Sequence, residues 1–207
     1  MTYRPLRLGL GTLAASSVLA ATVAASAFSV SYDQTATTQD GVVVSKVAVK
    51  GDRFRIESVI DGQRSILLRN AQGMFNYLPN EGAAIRLPRV AAGQQPVSDN
   101  YLAYLHERQA TLLRSETMAG RACDVYQFTE PSGGGRVTAW VWTEQQFPIR
   151  LEIQGPQPVT VEFTNIRMGE VPPDAAFELP PGVTVTDLRA PMDLPSLMES
   201  GSRADEE

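Results

Sequence analysis

The chain has little of what catalysis and cofactor binding require. Of its 207 residues one is a cysteine, Cys123, and one is a histidine, His106. A metal site needs a cluster of His, Cys and carboxylate ligands, and one His with one Cys does not make one. His106 sits in a helical stretch beside Glu107 and Arg108. No third group is visible to orient it toward Cys123, so it reads as a packed or solvated histidine rather than a general base. No serine occupies a Gly-x-Ser-x-Gly elbow. Ser132-Gly133-Gly134-Gly135-Arg136 lacks the Lys-Ser/Thr and the following helix of a phosphate cradle, and reads as a hairpin loop. The expectation is a protein that is no enzyme and needs no metal or cofactor.

Other shortages narrow the class further. A single cysteine excludes an internal disulfide. Alternation through Ala122 to Phe128 places Cys123 with Val125 and Gln127, opposite Tyr126 and Phe128, as a half-buried inert thiol. There are two lysines, Lys46 and Lys50, and the formal net charge is −5. An acidic chain does not displace counterions from nucleic acid, so no nucleic-acid partner is expected.

Long hydrophobic runs are confined to the start of the chain. Arg4 and Arg7 precede an apolar or small stretch from Leu8 to Ala24, and Ala25-Ser26-Ala27 offers the small residues that signal peptidase selects. Residues 1–27 are read as a signal peptide cleaved after Ala27, which places the protein in the periplasm. Leu8 to Phe28 is long enough to cross a bilayer, but alanine and serine make it weakly hydrophobic. No Leu-x-x-Cys lipobox is present. The expected mature chain fits one domain, residues 28–188, with a flexible acidic tail over 189–207 that closes in Asp205-Glu206-Glu207.

Between those ends the sequence is rich in strand signals. Arg53-Phe54-Arg55-Ile56-Glu57 alternates charge with hydrophobe, and Gln39-Asp40-Gly41, Gly51-Asp52 and Asp61-Gly62 are turns. Ile66–Arg69 and Met74–Leu78 read as arms of a hairpin over Asn70-Ala71-Gln72-Gly73, with a short strand at Ala84–Leu87. One helix of roughly 12 residues is expected after Pro96, capped by Ser98 or Asp99, with Tyr101, Leu102, Leu105 and Leu112 near helical spacing. From Leu113 the chain returns to consecutive hairpins. The reading is mainly β: about nine to eleven antiparallel strands in a strongly curved sheet whose concave face the helix can cover.

Seven residues on these strands are candidate cavity walls: Phe54, Ile56, Phe75, Tyr77, Trp140, Trp142 and Phe163, with Phe147 in the same aromatic set. Aromatics on strands mostly pack an ordinary core. A rigid apolar wall with few polar groups is also what a hydrophobic ligand needs. Trp140 and Trp142 share one face, with Ala139 and Val141 on the other.

Three segments together resemble the superfamily of the periplasmic lipoprotein carrier LolA: Val49-Lys50-Gly51-Asp52-Arg53-Phe54-Arg55-Ile56-Glu57, then Asn70 to Pro79, then Val141 to Glu152 with its Phe147-Pro148. Phe177-Glu178-Leu179-Pro180-Pro181-Gly182-Val183 completes the pattern. The resemblance covers most of residues 42–188 through loose motifs. It implies a half-open β-barrel with a helical lid, here bearing Tyr101, Leu102 and Leu105 within 94–112. It implies a partner that is a lipid or a lipoprotein's acyl chain, a possible inner-membrane protein partner, and a monomer. A similar half-barrel occurs in RseB-like regulators of envelope stress, which gives the alternative of a non-enzymatic sensor or interaction module. The chain departs from the carrier in lacking its long N-terminal amphipathic helix and in having Gly51-Asp52-Arg53 where the carrier has Arg-Pro-Asn.

Overall fold

The computed structural model describes residues 28–60, 62–88, 101–130 and 135–187. The signal peptide with Ala27, the tail, the helix caps at Ser98 and Asp99, the start of the lid segment and most of the Gly-rich loop lie outside the described residues. Twelve strands form one sheet. In chain order they are β1 (Ser29–Thr38), β2 (Gly41–Lys50), β3 (Arg53–Ile60), β4 (Gln63–Asn70), β5 (Gly73–Leu78), β6 (Ala83–Leu87), β7 (Thr111–Met118), β8 (Arg121–Glu130), β9 (Gly135–Trp142), β10 (Phe147–Gln154), β11 (Val159–Met168) and β12 (Thr184–Asp187). The helix α1 (Tyr101–Glu107) precedes β7, and a 3-10 turn (Asp174–Phe177) precedes β12. Among the described residues no helix is long and apolar enough to cross a membrane.

The order across the sheet is β12-β6-β5-β4-β3-β2-β1-β11-β10-β9-β8-β7. Two antiparallel meanders, β1–β6 and β7–β11, are therefore joined along a single seam between β1 and β11. The seam pairs Val30 with Met168 and Thr37 with Thr160. β12 adds to β6 in parallel, Thr184 opposite Ala83, and makes the sheet mixed. The curved sheet does not close, so β7 and β12 are its two edges. This is the strongly curved sheet that the strand spacing predicts, left open as the half-barrel that the resemblance implies.

The helix ends earlier than its apolar spacing suggests. Gln109 takes a φ of 53°, a left-handed conformation that ends helices, and the Ala110 amide donates back to the Leu105 carbonyl at 2.9 Å. Leu112 therefore belongs to β7, pairs with Tyr126 and is exposed. Gly135 opens β9 with a φ of +98°, and a Cβ there would lie 1.9 Å from the Gln154 carbonyl oxygen. Only glycine fits that start.

Alternation and register divide the side chains between two faces. On one face, called here the helix face, Tyr101 and Leu105 of α1 pack on Phe128, Val137, Ala139 and Val141. The same face continues across the seam as Val30, Tyr32, Val47, Val49, Phe54 and Phe163, with Leu151 touching both groups. The opposite face holds two separate clusters: Cys123, Val125, Trp140 and Ile149 at one end, and Ile66, Leu68 and Phe75 at the other. Cys123 thus shares a side with Val125, away from Phe128, as the alternation of β8 predicts. The segment running into and out of the 3-10 turn crosses this second face as a strap.

Candidate functional site

The predicted cavity residues fall on both faces. Phe54, Ile56 and Phe163 come together on the helix face, Phe54 and Phe163 buried and Ile56 half-buried. Tyr32, which sequence reading did not single out, centres this group. Its ring meets Phe147 at 5.4 Å and Phe163 at 5.5 Å, both edge-on. Phe147 reaches the group because β10 has parted from β11 there; their pairing stops at Arg150 and Glu162. Such T-shaped contacts fill space and fix ring orientation. This end of the helix face is packed solid.

Beyond Phe54 the helix face changes character. Ile56 pairs with Leu67, Met74 with Leu87, and Leu78 with Ala83; Asn76 lies between Leu67 and Ile85. Ile56, Leu67, Met74, Leu78, Ile85 and Leu87 are all half-buried. Among the described residues α1 packs only over β8–β10, so no helix lies on this stretch. Apart from half-buried Arg69, the polar groups at its centre satisfy one another: Ser45 and Ser58 share a hydrogen bond of 2.7 Å, and the Ser65 hydroxyl donates to Asn76 at 2.7 Å. Bonded polar groups make little demand for water, which leaves the lining effectively apolar.

Tyr101, Leu102 and Leu105 stand at the other end of this face. Tyr101 and Leu105 are buried and Leu102 is half-buried. Tyr104 follows them, stacking on Tyr101 at 5.5 Å, meeting Phe128 edge-on and donating its hydroxyl to Glu130 at 2.8 Å. Burial pushes the Tyr101 phenol well above its ordinary value, with Tyr104 and Glu130 adding to the rise. It stays a neutral wall group at any physiological pH.

Phe75, Tyr77, Trp140 and Trp142 lie on the strap face and share no cluster with Phe54. Trp140 is buried beneath Arg150 and donates its indole N–H to Glu116. Trp142 is covered by Arg121 at 4.7 Å. Phe75 and half-buried Tyr77 pack with Ile66, Leu68 and Leu179 of the strap. The strap's anchor is Phe177, fully buried, with Arg53 stacked over its ring at 5.4 Å. Asn70 donates to the Phe177 carbonyl at 3.1 Å and Arg55 to the Ala176 carbonyl at 3.2 Å. Lys50 and Arg53 both hold the Asp174 carboxylate, which keeps its pKa below the usual aspartate range. The Phe-x-x-Pro-Pro-Gly phrase carried the signal for this strap, though not the surface it would cover.

A groove of about 650 Å³ opens beside the strap, between β1–β3 and β11. Charge lines it, with Asp33, Lys46, Arg55 and Glu57 on the strands and Arg167 and Glu170 opposite. Hydrogen bonds from Arg64 and Arg55 hold Glu57 below the ordinary carboxylate range despite partial burial. Such a wall keeps water and does not suit an apolar chain. Among the described residues no group of three or more His, Cys, Asp or Glu side chains is arranged to hold a metal.

No family model and no curated protein matches the chain. Solved structures do. The crystal structure of MucB is similar at 14% identity and a TM-score of 0.50, covering 76% of this chain and 59% of that one. The complex of MucA and MucB from Pseudomonas aeruginosa matches at 15% identity and a TM-score of 0.49, over 73% of this chain and 55% of that one. A putative outer membrane lipoprotein-sorting protein domain from Vibrio parahaemolyticus matches at 11% identity and a TM-score of 0.36, over 73% and 89%. The chain spans less than two thirds of the MucB chains it matches. The likeness to MucB concerns the fold alone, a curved and unclosed sheet.

Proposed function

We propose that this is an exported, non-enzymatic binding protein of the periplasm that holds an apolar chain, a lipid or the acyl groups of a lipoprotein, against the helix face of its half-barrel. One observation carries the reading: the half-buried row Ile56, Leu67, Met74, Leu78, Ile85 and Leu87, which runs on from a packed aromatic core. A chain laid there would be driven by apolar area leaving water, at about 25 cal/mol per Å². No covalent step is needed, and the segment bearing Tyr101, Leu102 and Leu105 would act as lid. Of the predicted cavity residues Phe54, Ile56 and Phe163 belong to this wall, while Phe75, Tyr77, Trp140 and Trp142 serve the opposite face.

Native mass spectrometry of protein purified gently from a periplasm tests the proposal. The expected result is a mass excess matching a phospholipid or an acylated peptide, lost in Leu67→Asp, which puts a charge in the wall. A bare mass with no uptake of added lipid would overturn it and favour the interaction-module alternative.

A further inference from the structure

The charges of β1–β6 are sorted by face with a single exception. Asp33, Lys46, Lys50, Arg53, Arg55, Glu57, Arg64 and Arg86 all occupy strap-face positions, by alternation and by register. Arg69 does not. It pairs with Phe54 on one side and Met74 on the other, both helix-face residues, and is itself half-buried. Among the described residues of these six strands it is the only charged group on that face.

Among the described residues its surroundings offer it nothing ionic. The strap-face cations are engaged: Lys50 and Arg53 with Asp174, Arg55 and Arg64 with Glu57, Arg86 with Asp187. Lys46, which has no such partner, is exposed. Arg69 makes no ion pair or side-chain hydrogen bond within the described structure, and its strand neighbours are an aromatic ring and a thioether. A guanidinium half-withdrawn from water without a counter-charge is unfavourable, because its desolvation is not offset. Its planar fork fits a carboxylate or a phosphate bidentately.

We infer that Arg69 receives the anionic head of an amphiphile whose chain lies along Ile56, Leu67 and Met74. The inference rests on the helix-face reading above and narrows it: the occupant is not a neutral hydrocarbon but an apolar chain ending in a carboxylate or phosphate. Arg69 lies one register row from Ile56 and Leu67, so a head bound to it starts the chain on that row.

The test compares three probes of one chain length below their micellar concentrations: dodecanoate, dodecyl phosphate and the uncharged monolaurin. Binding is read by calorimetry on the whole protein and on Arg69→Met and Arg69→Lys. Methionine keeps the aliphatic stem, and thermal melting checks that both variants fold. The expected result is that one or both anionic probes bind about tenfold more tightly than monolaurin. Arg69→Met should abolish that preference with monolaurin affinity unchanged, and Arg69→Lys should retain part of it. A carboxylate source ranks dodecanoate first, a phosphate source dodecyl phosphate. Equal binding of all three, or an equal loss for all three in Arg69→Met, overturns the inference while the helix-face reading stands. Failure of every probe to bind overturns both.

Discussion

The half-barrel is covered differently on its two faces. Over β8–β10 the cover is α1, held by Tyr101 and Leu105 on an apolar floor, with the Tyr104–Glu130 bond at its margin. Over β3–β5 the cover is the strap, held by one buried ring, two backbone carbonyls and an ion cluster. Apolar contact is non-directional, so a helix that rests chiefly on it can shift while giving up little more than the Tyr104–Glu130 bond and the Arg108–Glu130 pair at its margin. A strap tied by hydrogen bonds has one register, and displacing it strands Asn70 and Arg55. The apolar cover thus lies on the face with the open apolar row, and the hydrogen-bonded cover on the charged face.

Three perturbations press on this contrast. The largest effect is expected from Gly135→Ala, which forces a Cβ into the Gln154 carbonyl at a positive φ. Roughly 3–5 kcal/mol of stability should be lost, read by denaturant unfolding, because the β9–β10 floor beneath α1 must move. Next, Phe177→Ala should cost about 3–5 kcal/mol and Leu105→Ala about 2–4 kcal/mol. Hydrogen exchange separates them: Phe177→Ala should unprotect β4 and β5 and leave β8 and β9 protected, and Leu105→Ala the reverse. Loss of protection on both faces from either change would mean that the covers are not independent.

The smallest effect concerns pH. The native Asp174 carboxyl has a lowered pKa, caused first by its hydrogen bond from Lys50. A depressed carboxylate contributes stability above its unfolded pKa and loses it as pH falls through the native value. The strap should therefore loosen only in acid, below the ordinary aspartate range, and Asp174→Asn should remove that step. Protection of the strap-face amides followed down to low pH would show it. A step that persists in Asp174→Asn would assign it elsewhere.

Sequence reading went as far as local alternation goes. Arg53-Phe54-Arg55-Ile56-Glu57 correctly put Phe54 and Ile56 on one side, and the shared face of Trp140 and Trp142 was legible from the alternation of β9. What covers each face was not legible, because the strap lies far along the chain from β3 and β4. Arg55 and Glu57 fall opposite Phe54 and Ile56 by that alternation, yet they are half-buried beside the strap. Arg69 escaped notice for a related reason: Ile66, Leu67 and Leu68 are apolar in succession, and a strand buried on both sides carries no alternation to assign its end. The helix was overextended because its stop, a left-handed glutamine, leaves no glycine as a marker.

The seam between β1 and β11 also governs how the molecule is made. Each meander pairs neighbours in sequence, so its hairpins close over short loops and can form early. The seam joins the first strand to the eleventh, and loop-closure entropy is spent before any of its contacts form. Folding should then be slow for the protein's size, with two preformed meanders docking along one line. Until they dock, β1 presents an unpaired edge carrying Val30 and Tyr32, the interval in which the chain is most open to mispairing with another copy.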